Sequence, residues 1–495
     1  MTETFDLVIV GSGINGAIVA HQARTAAPGA SILVLEAGGP ISGQGGEHLV
    51  EASEDTLREA YDLLMRRARQ IEYVAGAVSM TEVDGDSWSP DATGVFPAAF
   101  LGHNFAQFPG ASFGWNVGGM GVHWTAACPW PFATEVPDVA ADAEWSDLLS
   151  IARRLLRVNP QPFETSAFTE PVIAALRQAA PADQRDRQAQ LMPMAGVARP
   201  GGGPFMRTGP RDIAPFVFDG SLPHITLRAG TMVTRLLHRG GTVTGLAVRS
   251  LADGAEHEIG ARTVVVAGDT LRTPQLLWAS GIRPDALGLR LNEHASIDGN
   301  AVVDVARFGL SPADVPQAPA DEPFTGAYWS PSTPERQTHG QLMERVTEEG
   351  FCIGMGWYSP TEIRPENRIE FSDTMTDALG MPHMTVHFSY SDLDLEKIEI
   401  ARATQLQAGS SVGDFTPGDS DTLPAGASLH YTGTVRAGRV DDGASVCDST
   451  GKVWGFGNLY VAGNGVVPTA LTCNSTLTGA ALAVRTGRAA AARAQ

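Results

Sequence analysis

His430, in Ser428-Leu-His-Tyr-Thr-Gly-Thr434, and Asn474, 44 residues further on and followed by Ser475 and Thr476, are the side chains best suited by type to handle an alcohol proton. An imidazole whose ordinary pKa is about 6.5 can accept a proton near neutrality, and a carboxamide beside it can orient a hydroxyl. Types alone leave two plainer readings open: a buried, hydrogen-bonded histidine, and an asparagine that caps a helix. Asn474-Ser-Thr476 also matches a glycosylation sequon, but no secretion signal supports that use.

Three further groups of residues suggest what would sit beside that pair. Gly11-Ser12-Gly13-Ile14-Asn15-Gly16 carries the G-x-G-x-x-G spacing, with a strand expected before it and a helix after it. Gly11 permits the tight turn, Gly13 lets backbone approach a pyrophosphate, and Gly16 allows close helix packing, while the helix N-terminus offers N–H donors to the anion. Glu36, 20 residues past Gly16, ends the next strand, where an acid can bind ribose hydroxyls and disfavours a 2′-phosphate. Phe113 to Thr125 contains Gly118, Gly119, Met120, Gly121, His123, Trp124 and Thr125; its small residues let backbone approach a flat ligand, and His123 is either a ligand contact or a core histidine. Near the end, Leu459-Tyr-Val-Ala-Gly463-Asn464 reads as a strand and turn before a helix over 477–492, whose positive end could face the anionic edge of a reduced flavin.

The elements that must position these groups are legible from patterning. Residues 5–10 form a short apolar run, 14–27 a helix and 31–36 a second strand, which together make one βαβ unit. A glycine-rich loop over 38–46 precedes a helix over 47–69 and a mostly irregular stretch to 110; 145–156 is another helix and 195–220 a loop. Strands at 225–228, 232–238, 243–249 and 256–259 read as a meander, with turns at 239–242 and 252–255. Residues 263–267 then form a buried strand leading through Gly268 into a helix. Proline-rich 312–334 reads as a loop or lid, and 367–371 and 384–389 as strands with one exposed face.

Composition narrows the class. A chain of 495 residues exceeds one ordinary core, and 43 % hydrophobic residues with 55 glycines fit a loop-rich α/β protein. Net charge is −20 and only Lys397 and Lys452 among 35 basic residues are lysines, so no basic run exists to track nucleic acid. The start has no basic n-region, and no apolar run approaches the ~20 residues that span a bilayer, so a soluble, cytoplasmic protein is expected. Cys128, Cys352, Cys447 and Cys473 are far apart, which favours buried thiols over a disulfide framework or a metal site.

Taken in this order, the four constellations resemble the glucose–methanol–choline family of FAD oxidoreductases, most closely its pyranose oxidase branch with bacterial glycoside 3-oxidases. The segments Gly118-Gly-Met-Gly-Val-His-Trp-Thr125, Pro365-Glu-Asn-Arg-Ile-Glu-Phe-Ser-Asp373 and Val453-Trp-Gly-Phe-Gly-Asn-Leu-Tyr460 carry the branch. The resemblance implies an α/β fold: a discontinuous Rossmann-like FAD-binding domain (1–45, 110–135, 225–297, 453–495) and a substrate domain with a large, mostly antiparallel sheet (46–109, 136–224, 298–452), with a lid near 312–345. It implies His430 as base and Asn474 as the residue that orients the alcohol. FAD contacts are implied at Gly11 to Gly16, Glu36, Gly118 to Met120, His123 to Ala126, Val233, Ala267, Gly268, Gly463, Asn464, Asn474 and Thr476. His123 matches the histidine that carries FAD covalently in fungal pyranose oxidases, but Gly121-Val122 replaces the fungal Ser-Thr and leaves the linkage undecided.

Gln341, Arg345 and Tyr358 are expected at the substrate. Arg345 stands where fungal enzymes use a sugar-binding Asp, and Pro360 where they use an Arg. This reworking favours C3 over C2 oxidation and bulky glycosides over free glucose. The implied partners are a sugar or glycoside and O2, which would be reduced to H2O2. A dehydrogenase passing electrons to a quinone or protein, and a non-redox lyase, are the alternatives. The oligomeric state is not legible.

Overall fold

A computed structural model describes residues 3–43, 45–51, 93–103, 105–198, 205–318, 322–347 and 350–494. The helix expected over 47–69 and the irregular stretch after it therefore lie, from 52 to 92, outside the described residues.

The first sheet is built from β1 (Thr4–Val10), β2 (Ile32–Leu35), β3 (Ile225–Arg228), β4 (Thr231–Arg239), β5 (Thr242–Ser250), β6 (Glu256–Val266) and the C-terminal strand Leu459–Val461. Its order is β3-β2-β1-β6-β5-β4, with the C-terminal strand paired to β6. The βαβ unit forms as expected: the apolar runs of β1 and β2 pair in parallel, and the helix Ile14–Ala26 buries Ala17, Ile18 and Ala20.

Two expectations here are corrected. Residues 225–228 do not join the meander; β3 pairs in parallel with β2, from Ile225 against Ile32 to Arg228 against Leu35. A four-residue apolar run does not specify its partner, and this one completes the parallel edge. Residues 256–259 and 263–267 are not two strands but one. The first half of β6 pairs antiparallel with β5 and the second half in parallel with β1, with Gly260 opposite both Gly245 and Thr4. A Cβ on Gly260 would meet Thr4 Oγ1 at 2.4 Å, so glycine is what lets the start of β1 approach this closely.

The second sheet is antiparallel. It contains β7 (His294–Asp298), β8 (Asn300–Val303), β9 (Gly326–Ser330), β10 (His339–Thr347) and β11 (Gly350–Pro360), in the order β8-β11-β10-β9 with β7 also paired to β11. Side chains alternate across it. Ile297, Leu342, Ile353, Met355 and Trp357 join the core under the helix Asp392–Val412, while Ser296, Gln341, Gly354, Gly356 and Tyr358 face a cavity. The reading of 312–334 as loop fails over β9. Tyr328 packs into one apolar cluster and Trp329 into another, so both faces are covered and no alternation marks the strand between the prolines. Residues 339–345, placed in the lid, likewise lie in the buried strand β10.

The loop expected over 195–220 holds short elements where it is described, including Met206–Arg207, Pro210–Ile213 and Pro215–Phe218. The strands Arg368–Thr376 and Pro382–His387 pair as a hairpin. The chain's ends meet: the C-terminal helix Thr476–Ala494 packs on Ile14–Ala26. The largest apolar core also takes in Trp145, Leu148, Ile369 and Val386, residues placed on the substrate side from sequence. All four cysteines are buried and unbridged. No described helix is long and apolar enough to cross a membrane.

Candidate active site

A cavity of about 510 Å³ runs between the two sheets. At one end lies the fingerprint turn. Gly11 sits at φ +105°, and a Cβ there would meet the Ala267 oxygen at 2.3 Å; a Cβ on Gly16 would stand 2.0 Å from the Gly11 oxygen. Only glycine allows these segments to meet. The helix then starts after Gly13 with no side-chain cap, leaving its first N–H groups for an anion.

Ser12 turns away from the cavity. Its hydroxyl donates to Glu36 at 2.7 Å and accepts from the Gly118 N–H at 2.8 Å, so the fingerprint is tied to the second glycine segment. Glu36 also accepts from the N–H groups of Ser12 and Gly38, each at 3.0 Å. Besides facing the cavity, this acid is therefore a structural clasp. Burial holds its carboxyl above the usual range despite those bonds.

Gly11, Gly13, Ile14, Asn15 and Glu36 line the wall, and Val233, Ala267, Gly268, Gly463, Asn464 and Thr476 continue it. Gly119, Met120, His123, Trp124 and Thr125 form the side opposite. Ser12, Gly16, Gly118 and Ala126 are not on the wall. They build the turns behind it, Ala126 fully buried at φ +70°.

The His123 ring is oriented by Asn116. The Asn116 amide donates to the carbonyls of Val117 (3.0 Å) and Gly119 (3.2 Å), so its oxygen faces His123 Nε2 at 3.0 Å. Nε2 then carries the proton and Nδ1 the lone pair. Burial pushes this imidazole down to about 3, so it is neutral.

The wall fits a dinucleotide. Buried Asn15 Oδ1 and His123 Nδ1 have no hydrogen-bond partner among the described residues, although both residues face the cavity, whereas the equally unpaired Asn464 Oδ1 packs against Gly479 of the C-terminal helix. Unsatisfied buried polar atoms around one cavity are costly unless a polar ligand completes them. The uncapped helix and glycine cradle supply the anion site such a ligand needs.

His430 and Asn474 meet at the other end. Asn474 Nδ2 stands 3.3 Å from His430 Nε2 and donates to Gln341 Oε1 at 3.0 Å. Asn474 is therefore not a helix cap; its carboxamide points into the cavity. His430 Nδ1 lies 2.6 Å from His294 Nε2, and burial lowers the His430 pKa to about 4. Gln341 reaches across to Thr125 Oγ1 at 3.5 Å, joining the second sheet to the glycine segment.

The three expected substrate residues also face this space. On β10, Gln341 and Arg345 alternate with buried neighbours, and Tyr358 on β11 stacks on His339 at 5.4 Å between ring centres. Arg345 Nη2 donates to Asn300 Oδ1.

Sequence reasoning missed four participants. His294 and His339 contact the pair, and Asp269 and Arg272 line the wall near Glu36. Asp269 adopts φ +76° and caps its helix through the N–H groups of Leu271 and Arg272; burial pushes it up to about 6. His339 precedes Gln341 by two on one strand, so period-two alternation was an available signal. His294, 136 residues before His430, had none.

Comparisons with known proteins identify the family of the chain. The GMC oxidoreductase N- and C-terminal family models match residues 223–296 and 364–483. A C-glycoside 3-oxidase of Microbacterium trichothecenolyticum is 37 % identical over 98 % of this chain and 96 % of its own length. A pyranose 2-oxidase of Tricholoma matsutake is 28 % identical, covering 81 % of this chain and 78 % of its own. Among solved structures, a formate oxidase matches with TM-score 0.66 at 16 % identity, over 98 % of each chain, which is a likeness of fold. With 37 % identity to a relative over nearly its whole length, the chain belongs to the GMC oxidoreductase family, and FAD is its cofactor.

Proposed function

We propose that this protein oxidises a secondary ring hydroxyl of a pyranose or glycoside to a ketone, with C3 favoured over C2, and passes the electrons to O2. The observation that carries the reading is the 3.3 Å approach of His430 Nε2 and Asn474 Nδ2 in the cavity that also holds the fingerprint turn. The C-glycoside 3-oxidase and pyranose 2-oxidase relatives support the substrate class.

Gly11, Gly13, Ile14, Asn15, Glu36, Val233, Gly268, Asn464 and the first turn of the C-terminal helix would hold FAD, with His123 Nδ1 the ring nitrogen left free towards it. When bound, FAD supplies the acceptor for the substrate's hydride and returns the electron pair to O2 as H2O2.

The chain's own residues do the rest. The substrate hydroxyl bridges Asn474 Nδ2, which donates to its oxygen, and His430 Nε2, which takes its proton as the carbon gives up hydride. His430 is neutral before the step, because burial disfavours its cation. His294 accepts from His430 Nδ1 and holds the ring as charge develops. Gln341 fixes the amide of Asn474 and, with Arg345 and Tyr358, borders the sugar.

The test is anaerobic bleaching of the yellow holoenzyme by D-glucose, methyl and phenyl O-glucosides and an aryl C-glucoside, with product NMR to fix the carbon. His430→Ala should slow bleaching by about 10²–10⁴-fold, the usual worth of a general base. A variant that bleaches at the parent rate removes the assignment. Peroxide yield against dye reduction separates an oxidase from a dehydrogenase, and bleaching by no sugar would point to the lyase.

A further inference from the structure

We infer that Trp329 and His339, neither of which lines the cavity, are positioning residues that set the amide of Asn474 and through it the nitrogen that His430 presents to the substrate. The inference rests on the reading of His430 as the base.

The direction of each hydrogen bond is set by the groups that make it. An indole N–H can only donate. Trp329 Nε1 lies 2.8 Å from His339 Nδ1, so Nδ1 is the acceptor. A neutral imidazole has one donor and one acceptor, so His339 Nε2 carries the proton and donates to Asn474 Oδ1 at 3.1 Å. With its oxygen so engaged, Asn474 turns its NH2 the other way, and its two protons meet Gln341 Oε1 and His430 Nε2. His430 Nε2 is therefore a lone pair, and the ring's proton sits on Nδ1, donated to His294 Nε2. His294 in turn faces the backbone carbonyls of Leu471 and Thr472. One end of the chain can only donate and the other can only accept, so its polarity is fixed.

Trp329 and His339 are each 1 % exposed, out of reach of competing water. The Arg187 guanidinium lies 5.2 Å above the Trp329 ring, within an aromatic cage that includes Trp130 and Phe132. Its Nε pairs with Asp186 Oδ2 at 3.5 Å. Its charge favours the indole as a donor and disfavours protonation of His339, which burial first, and then the neighbouring His430 and Arg187, hold near 3. A protonated His339 would still donate to Asn474 but would collide with the indole N–H. The surroundings therefore select the one state that transmits the order.

The test separates polarity from packing. His339→Gln keeps an acceptor for Trp329 and a donor for Asn474; His339→Leu keeps bulk and loses both. Both holoenzymes are compared with the parent and with His430→Ala by anaerobic stopped-flow reduction, using the fastest glucoside of the panel above. His339→Leu should lower the limiting reduction rate by about 10–100-fold with little change in substrate concentration dependence, as misplacement of a reacting group does. His339→Gln should recover most of that loss. Equal rates in the Leu and Gln variants would overturn the positioning role, while loss of reduction in His430→Ala would leave the base intact. Parent-like reduction in His430→Ala would instead remove the base reading itself. Should His339→Leu lose its cofactor, Trp329→Phe decides alone, since it deletes only the N–H donor: a fall of about tenfold supports the inference and a parent rate rejects it.

Discussion

At the residue scale, the environment of His430 predicts a pH profile unlike that of an ordinary histidine. Burial lowers its pKa to about 4, so the ring stays neutral across the range where an exposed imidazole would gain a proton. The reduction rate should be flat from neutrality to about pH 5 and fall tenfold per unit below about 4, where Nε2 is already protonated. Stopped-flow with a rapid pH jump reads this before the slower acid unfolding discussed below. A break near 6.5 would show an imidazole still hydrated in the working enzyme. The pair itself was legible: type, order and the glycine segments pointed to His430 and Asn474. Their supporting shell was not. His294 occurs in a strand with no local motif and His339 carries only its period-two relation to Gln341, while β-pairing alone brings His339 opposite Tyr358 and Tyr358 opposite Ser296. The clasp role of Glu36 was also hidden, because a strand-terminal acid reads the same whether it faces ribose or Ser12.

At the element scale, β10 and β11 make the substrate wall from one face of a period-two pattern. Gln341 lies opposite Gly356 and Met343 opposite Gly354, so each long side chain faces a gap in the next strand. A Cβ at Gly354 would meet Met343 O, Arg345 Nη2 and Asn300 Oδ1 at 3.5–3.7 Å, ordinary contact. Gly354→Val should therefore fold, a β-branched residue suiting a strand. It should also fill space beside Arg345. KM for glycosides with a bulky aglycone is expected to rise about tenfold, about 1.4 kcal/mol, with D-glucose less affected and FAD retained. Unchanged KM for every donor would place the aglycone elsewhere. Strand periodicity was readable here, whereas partners were not: β3 read as antiparallel, β6 as two strands and β9 as loop. Pairing direction and two-sided burial are decided by distant segments, which local patterning does not report.

At the scale of the whole molecule, the site lies between sheets whose strands come from both ends and the middle of the chain, and its histidines are buried neutral. That arrangement sets how the fold responds to acid. His123 and His339 are pushed down to about 3 and His430 to about 4, all by burial. An unfolded chain protonates each of them at about 6.5 while the fold does not. Stability is then lost as pH falls below about 6.5, at about 2 kcal/mol per histidine between pH 7 and pH 5. His48 and His294 are shifted in the same direction. Glu293, raised to about 7, and Asp269, raised to about 6, work the other way. They bind protons in the fold that the unfolded chain releases, so they lend stability as pH falls, about 2 and about 1 kcal/mol over the same interval. Burial raises Glu36 and Glu344 in the same sense as Glu293 and Asp269. His123, His339 and His430, set against Glu293 and Asp269, leave a loss of about 3 kcal/mol for the cofactor-free protein between pH 7 and pH 5, read as a lower urea midpoint. A midpoint that holds or rises towards pH 5 would mean that water, not protein, surrounds these imidazoles. Saturating FAD should raise the midpoint by the same amount at pH 7 and pH 5, because His123 and His430 are already neutral in the fold over that interval.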